Sequence, residues 1–86
     1  MIRLDSGHEV FMEAAQNGAL NIAKFLLKKS ANPNHQNAQG QTALHYAMAY
    51  DFFEFGSWLT SEDGAKADDT ILNMHDLSPY DGLSPE

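Results

Sequence analysis

Cysteine is absent from the 86 residues. That removes a disulfide framework, a thiolate metal site and a cysteine nucleophile together. A secreted, oxidising setting gains no support. Long apolar runs are missing as well, and the start lacks a signal-like pattern of charge followed by an apolar stretch. The composition therefore fits a soluble intracellular protein, cytoplasmic or nuclear, without membrane insertion. Basic residues are scarce: five Lys and Arg stand against twelve Asp and Glu, giving a net charge of -7. The imbalance is uneven. Arg3, Lys24, Lys28 and Lys29 lie in the first half, whereas from Asp51 onward nine acidic residues face only Lys66. That half would repel a polyanion, so nucleic-acid and anionic-membrane partners are disfavoured. At this length the chain holds one small core, near the size where burial only just offsets chain entropy.

What is present is organised around Gly40-Gln41-Thr42-Ala43-Leu44-His45-Tyr46-Ala47. Thr42 is placed to cap a helix, Leu44 and Ala47 recur on one helical face, and Gly40 permits a tight turn upstream. The order Gly-x-Thr-x-Leu-His-x-Ala resembles the signature of the ankyrin repeat, a unit of about 33 residues made of a turn and two helices. Sliding the chain along itself by that period sets Phe11 on Leu44, Ala14 on Ala47, Ile22 on Phe55, Phe25 on Trp58 and Leu26 on Leu59. The register then slips by one, placing Ser30 on Gly64, and by two more, placing Gly40 on Asp76.

The resemblance runs from about Gly7 to Leu83 and implies an all-α fold. That fold is a short ankyrin-repeat solenoid of helix-turn-helix units joined by hairpin-like loops. Repeat 1 is expected over about 6–38, repeat 2 over 39–72 and a half repeat over 73–86. Met1 to Asp5 should fray, and Ser6-Gly7-His8-Glu9 has the spacing of a capping box that opens the first helix. Val10, Phe11, Ala14 and Ala15 form its apolar stripe, and Gly18 ends it in the left-handed conformation. The second helix, Leu20 to Lys29, should turn Ile22, Ala23, Phe25 and Leu26 inward. Its Lys24, Lys28 and Lys29 read as a solvated helix end rather than a docking patch. Ser30-Ala31-Asn32-Pro33-Asn34 resembles the ankyrin turn, with Ser30 where glycine is usual, so a positive φ there would be strained.

In the second unit His35 to Gln39 should form the loop tip. The resemblance gives His45 a structural role, bonding to backbone and capping groups. Asp51 stands where Gly18 stood, and Gly56 replaces Ala23, making room beside Trp58 or Phe55. Phe52 and Phe53 are adjacent and cannot share a face. One of them should be exposed, and Phe52 is a candidate for cover by a partner. Glu62-Asp63 and Asp68-Asp69 read as solvated loop charge, since no ordered calcium loop surrounds them. Ser78-Pro79-Tyr80-Asp81 is a helix start with a serine cap and proline at the first position. Gly82 and Pro85 should stop that helix early, leaving a stub.

The implied use is binding of another protein by a concave face of loop tips and first helices. Carried over position by position, the contact residues are Asp5, Ser6, His8, Gln16 and Asn17 in the first unit. In the second they are Ala38, Gln39, Gln41, Ala49 and Tyr50, and in the stub Met74 and His75. Tyr50 is the expected anchor, because a rim tyrosine offers apolar area and a hydroxyl together; packing on Tyr46 is the alternative. His8, His35, His45 and His75 are spread along the stack, and no nucleophile, phosphate loop or metal cluster accompanies them. The chain therefore reads as non-enzymatic, with no cofactor and no metal. Two uses remain: a reversible binding module, or a structural subunit built into a larger assembly that buries Phe52. The acidic second half would steer either towards a basic partner surface.

Overall fold

The computed structural model describes residues 4–81, with side chains from His8 onward. Four helices follow in order: α1 (Leu4–Asn17), α2 (Leu20–Lys28), α3 (Ala43–Ala49) and α4 (Phe53–Thr60). No strand occurs among the described residues. Helix α1 packs on α2 and α3, and α3 packs on α4, which is the arrangement of two stacked helix pairs. The core runs between them through Phe11, Ala14, Ala15, Ala23, Leu44, Ala47, Phe55 and Leu59. Alanines at the close contacts let the helices approach, while Phe11, Leu44 and Leu59 are the largest apolar side chains of the helices to be fully buried.

Leu4 and Asp5 are already helical, so Ser6 lies inside α1 rather than capping it. An acid in the first turn suits the helix dipole, which favours the longer start. Gly18 takes φ +67 at its end, and Ala19 N–H donates to the Ala14 carbonyl at 2.8 Å. The second unit repeats this turn with an L-residue: Asp51 has φ 65, and Phe52 N–H donates to the Ala47 carbonyl at 2.8 Å. Ser30 also adopts a positive φ, 76, as its place in the turn requires.

Helix α2 differs from expectation in which face it buries. Ala23 is fully buried and Leu20, Leu26 and Leu27 pack against the core, but Ile22 and Phe25 are 53% and 58% exposed. Val10 on α1 is likewise exposed at 40%. A helix in a stack has two apolar faces, one towards its partner helix and one towards the neighbouring unit. Hydrophobic spacing alone merges them. Of the adjacent aromatics, Phe53 is the exposed one, while Phe52 precedes α4 and lies against the core, where a Cβ on Gly18 would meet its ring at 3.0 Å. Gly56 makes room for Met48, whose sulfur would lie 2.9 Å from an added Cβ, and not for Trp58 or Phe55.

The loops show where the register slips. Asn34 N–H donates to the Asn32 side chain, and Thr70 N–H to Asp68. Asn37 Oδ1 accepts from Gln39 and Gln41 N–H, as Asn73 Oδ1 accepts from His75 and Leu77 N–H. Positive φ values recur at Ser30 and Lys66, and again at Gly40 and Asp76. Ser30 is therefore matched by Lys66, not Gly64, and the whole slip occurs at once within the Ser61–Ala65 turn. Gly64 fits that turn because a Cβ there would fall 2.1 Å from the Trp58 carbonyl oxygen.

The helix starts repeat in the same register. Thr42 caps α3 in a reciprocal box, its N–H donating to His45 Nδ1 at 3.1 Å and its hydroxyl accepting from His45 N–H. With Nδ1 accepting, Nε2 carries the proton and donates to the Leu77 carbonyl at 3.0 Å. Ser78 and Asp81 form the same box, Asp81 N–H donating to Ser78 Oγ and Ser78 N–H to Asp81 Oδ2. Pro79 is buried beneath it. The expected stops at Gly82 and Pro85 lie outside the described residues.

Candidate functional site

The surface that joins loop tips to first helices is built from the same repeated bonds. Asn37 closes the first loop, its N–H donating to the Gln41 carbonyl and its Nδ2 to the Tyr46 hydroxyl at 2.8 Å. The loop is thereby tied to the exposed side of α3. Tyr46 and Tyr50, four residues apart on that helix, stack with ring centroids 6.3 Å apart and planes 13° from parallel. Tyr50 also meets Phe52 at 6.3 Å. Tyr50 thus packs on Tyr46 and is still 53% exposed.

The two loops are tied to one another as well. Met74 N–H donates to the Gln39 carbonyl at 2.9 Å, and Gln36 Nε2 bridges the Gly40 and Leu72 carbonyls. Gly40 has φ +76, and a Cβ there would lie 2.7 Å from Met74 N, so glycine permits both the turn and the close approach. No buried side-chain polar atom among the described residues lacks a partner. The loop tips are held to one another and to α3 by these bonds.

On this frame the expected contact residues separate into two groups. Gln16, Asn17, Ala38, Gln39, Ala49, Tyr50, Met74 and His75 are exposed. His8 and Gln41 are half-buried and used internally. His8 Nδ1 accepts from Asn32 N–H at 2.8 Å and its ring stacks on His35 at 5.1 Å, while Gln41 Oε1 accepts from Asn73 Nδ2. Asp5 and Ser6 sit in the first turns of α1, and their side chains lie outside the described residues. Tyr46 was not among the expected contacts. Its spacing of four from Tyr50 is the sequence signal that pairs them.

Two acidic positions are electrostatically distinct. The Thr70 hydroxyl and N–H both donate to Asp68, holding its carboxyl below the usual carboxylate value of 3.8. The Tyr80 hydroxyl donates to Asp69 Oδ2 at 2.8 Å, which raises the phenol above its ordinary 10.0. No group of three or more His, Asp or Glu able to hold a metal ion occurs among the described residues. None of their helices is long and apolar enough to cross a membrane.

Two antiparallel helix pairs, stacked and joined by loops with the same internal bonds, define a helical-repeat protein. The family described as ankyrin repeats in three copies matches residues 2–71, and the chain belongs to it. An ankyrin repeat protein of Acanthamoeba polyphaga mimivirus is 30% identical over 83 residues, covering 91% of this chain and 11% of its own length. One from Rickettsia felis is 54% identical over 33 residues, covering 38% and 14%. Human ankyrin repeat domain-containing protein 39 is 40% identical over 55 residues, covering 64% and 30%. The chain thus spans between 11% and 30% of the length of these relatives. Repeats of this family generally bind other proteins.

Proposed function

We propose that this chain is a non-catalytic protein-protein interaction module, intracellular, in the cytoplasm or nucleus, that binds a partner through its loop tips and first helices. The observation that carries the reading is Tyr50, half exposed yet pre-oriented by its stack on Tyr46, whose hydroxyl is held by Asn37. A tyrosine fixed before binding loses little side-chain entropy on contact and contributes apolar area with a hydroxyl beside it. Gln16, Asn17, Ala38, Gln39, Ala49, Met74 and His75, all exposed, are the further contact residues of this reading, together with Asp5, Ser6, His8 and Gln41. A basic partner surface fits the acidic second half, with association that weakens as salt rises.

A permanent place in a larger assembly is the second reading, favoured by the exposed Phe53 and by the apolar Ile22 and Phe25. The test is capture of partners from the protein's own cell extract by the parent chain and by Tyr50→Ala, with helicity checked by far-UV circular dichroism. Weaker capture at unchanged helicity is expected. Equal capture by both forms overturns the assignment of the binding face. Recovery only in a particle of fixed composition selects the structural subunit.

A further inference from the structure

The outer side of the first helix pair carries an apolar face whose counterparts in the second pair are buried. Val10, Ile22 and Phe25 occupy the repeat positions of Ala43, Phe55 and Trp58. Ala43 and Phe55 are 1% and 2% exposed, and Trp58 lies 6.3 Å from Phe11 of the first pair, so in the second pair these positions form the contact between units. On the first pair the same positions are open, and a shallow cleft of about 220 Å³ runs between Val10 and Ile22 over Ala14 and Ala19, with Glu13 and Asn17 at its α1 edge. A face of this shape is built to stack on helices.

The charges around it are arranged in two rims. Glu9 and Glu13 are exposed along α1, and Lys28 and Lys29 are exposed at the end of α2, with Lys29 Nζ 5.5 Å from the centre of the Phe25 ring. Because α1 and α2 are antiparallel about Gly18, residues equally far from that turn lie level, and Glu9 is level with Lys28. A two-fold axis parallel to the helices lays α1 of one copy on α2 of the other, so the acidic rim of each meets the basic rim of its mate. The apolar face is then covered by itself, as a closed isologous contact requires.

We propose that the Val10, Ile22 and Phe25 face is a self-association surface, occupied by a second copy of this chain related by that two-fold axis, with Glu9 opposite Lys28 and Lys29. The contact lies on the first helix pair, away from Tyr50, and shares with the partner-binding reading only Asn17, at the edge of the cleft; it gives Ile22 and Phe25 an occupant other than a larger assembly.

Sedimentation equilibrium of the full chain over a range of concentrations tests it. The expected mass rises from 9.5 kDa to twice that value. Phe25→Glu should stay monomeric at every concentration, with unchanged circular dichroism because Phe25 is exposed. Glu9→Lys and Lys29→Glu should each move the dimerisation midpoint to about tenfold higher concentration. The two together in one chain should restore it, since each copy then presents the reversed pair. A monomer throughout overturns the proposal and leaves the face to a different protein or a neighbouring repeat. Dimers that survive Phe25→Glu, or a double variant no better than the single ones, overturn it equally.

Discussion

Leu44→Ala separates the core from the stacking face more sharply than any other single change. Leu44 is 1% exposed and lies between Phe11, Ala15 and Phe55 in the middle of the stack. Removing its isobutyl group costs the transfer energy of the lost carbons plus a cavity, about 3–5 kcal/mol. The lower part of that range applies, because a cleft of about 140 Å³ beside Met48 and Gly56 already adjoins the site and lets Met48 relax into the space. A chain of this length holds roughly 4–13 kcal/mol in total. A loss of about 3 kcal/mol should then lower the thermal midpoint by more than about 12 °C. The companion variant is Ile22→Ala, at a position with the same helical spacing but 53% exposed, which should cost less than about 0.5 kcal/mol when the protein is dilute enough to be monomeric. Urea unfolding followed by fluorescence of Trp58, the single tryptophan, reads both, since its ring meets Phe55 edge-on at 5.9 Å. Equal losses for the two variants would refute the division of apolar faces. So would a Leu44→Ala midpoint close to the parent's.

Further outcomes follow from the turn and the tyrosine cluster. Ser30→Gly relieves a left-handed residue that costs about 1–2 kcal/mol, less the extra freedom glycine has when unfolded. It should raise stability by up to about 1 kcal/mol in the same urea experiment, and a fall would mean that the Ser30 side chain matters to the turn. Tyr80, hydrogen-bonded to Asp69, should ionise above pH 10.0 in an alkaline absorbance titration, and Asp69→Asn should bring it back. Its raised value means that the folded state binds this proton more tightly. The contribution is therefore full below the ordinary tyrosine range and disappears as pH rises through the folded value. A Tyr80 midpoint indistinguishable from free tyrosine would remove that bond from solution.

The parts of this fold that were legible in the sequence are those decided within a few residues of themselves. Thr42 and His45 form their box across a single turn, so the cap at Thr42 was legible from the motif and the role of His45 from the resemblance, and the proton on Nε2 follows once Leu77 is placed. Gly18 was legible for the same reason, because a helix end favours a left-handed residue whatever packs around it, and Ser30 and Asp51 follow from their places in the repeat. The start of α1 at Leu4 shows the limit of that logic. A capping-box spacing at Ser6 is permitted by its sequence but loses to a longer helix when Leu4 and Asp5 can extend it.

What was not legible depends on other units. Spacing marks Ile22, Phe25 and Val10 as apolar at helical period, and the same period serves both the core and the contact between repeats. Only the buried equivalents Phe55 and Ala43 reveal which of the two they belong to. The slip within Ser61–Ala65 had a signal of its own in the pairs Ala31 with Ala67, Asn37 with Asn73 and Thr42 with Ser78, all at one common offset. Gly64 obscured it by resembling the glycine usual where Ser30 stands. Its role is instead to clear the Trp58 carbonyl six residues earlier, where α4 turns into the loop. The binding face divides on the same line: exposure at Tyr50 and the loop tips follows from helix register, whereas Gln41 meets Asn73 only when successive loops are stacked, and His8 meets Asn32 only when the first helix pair has closed.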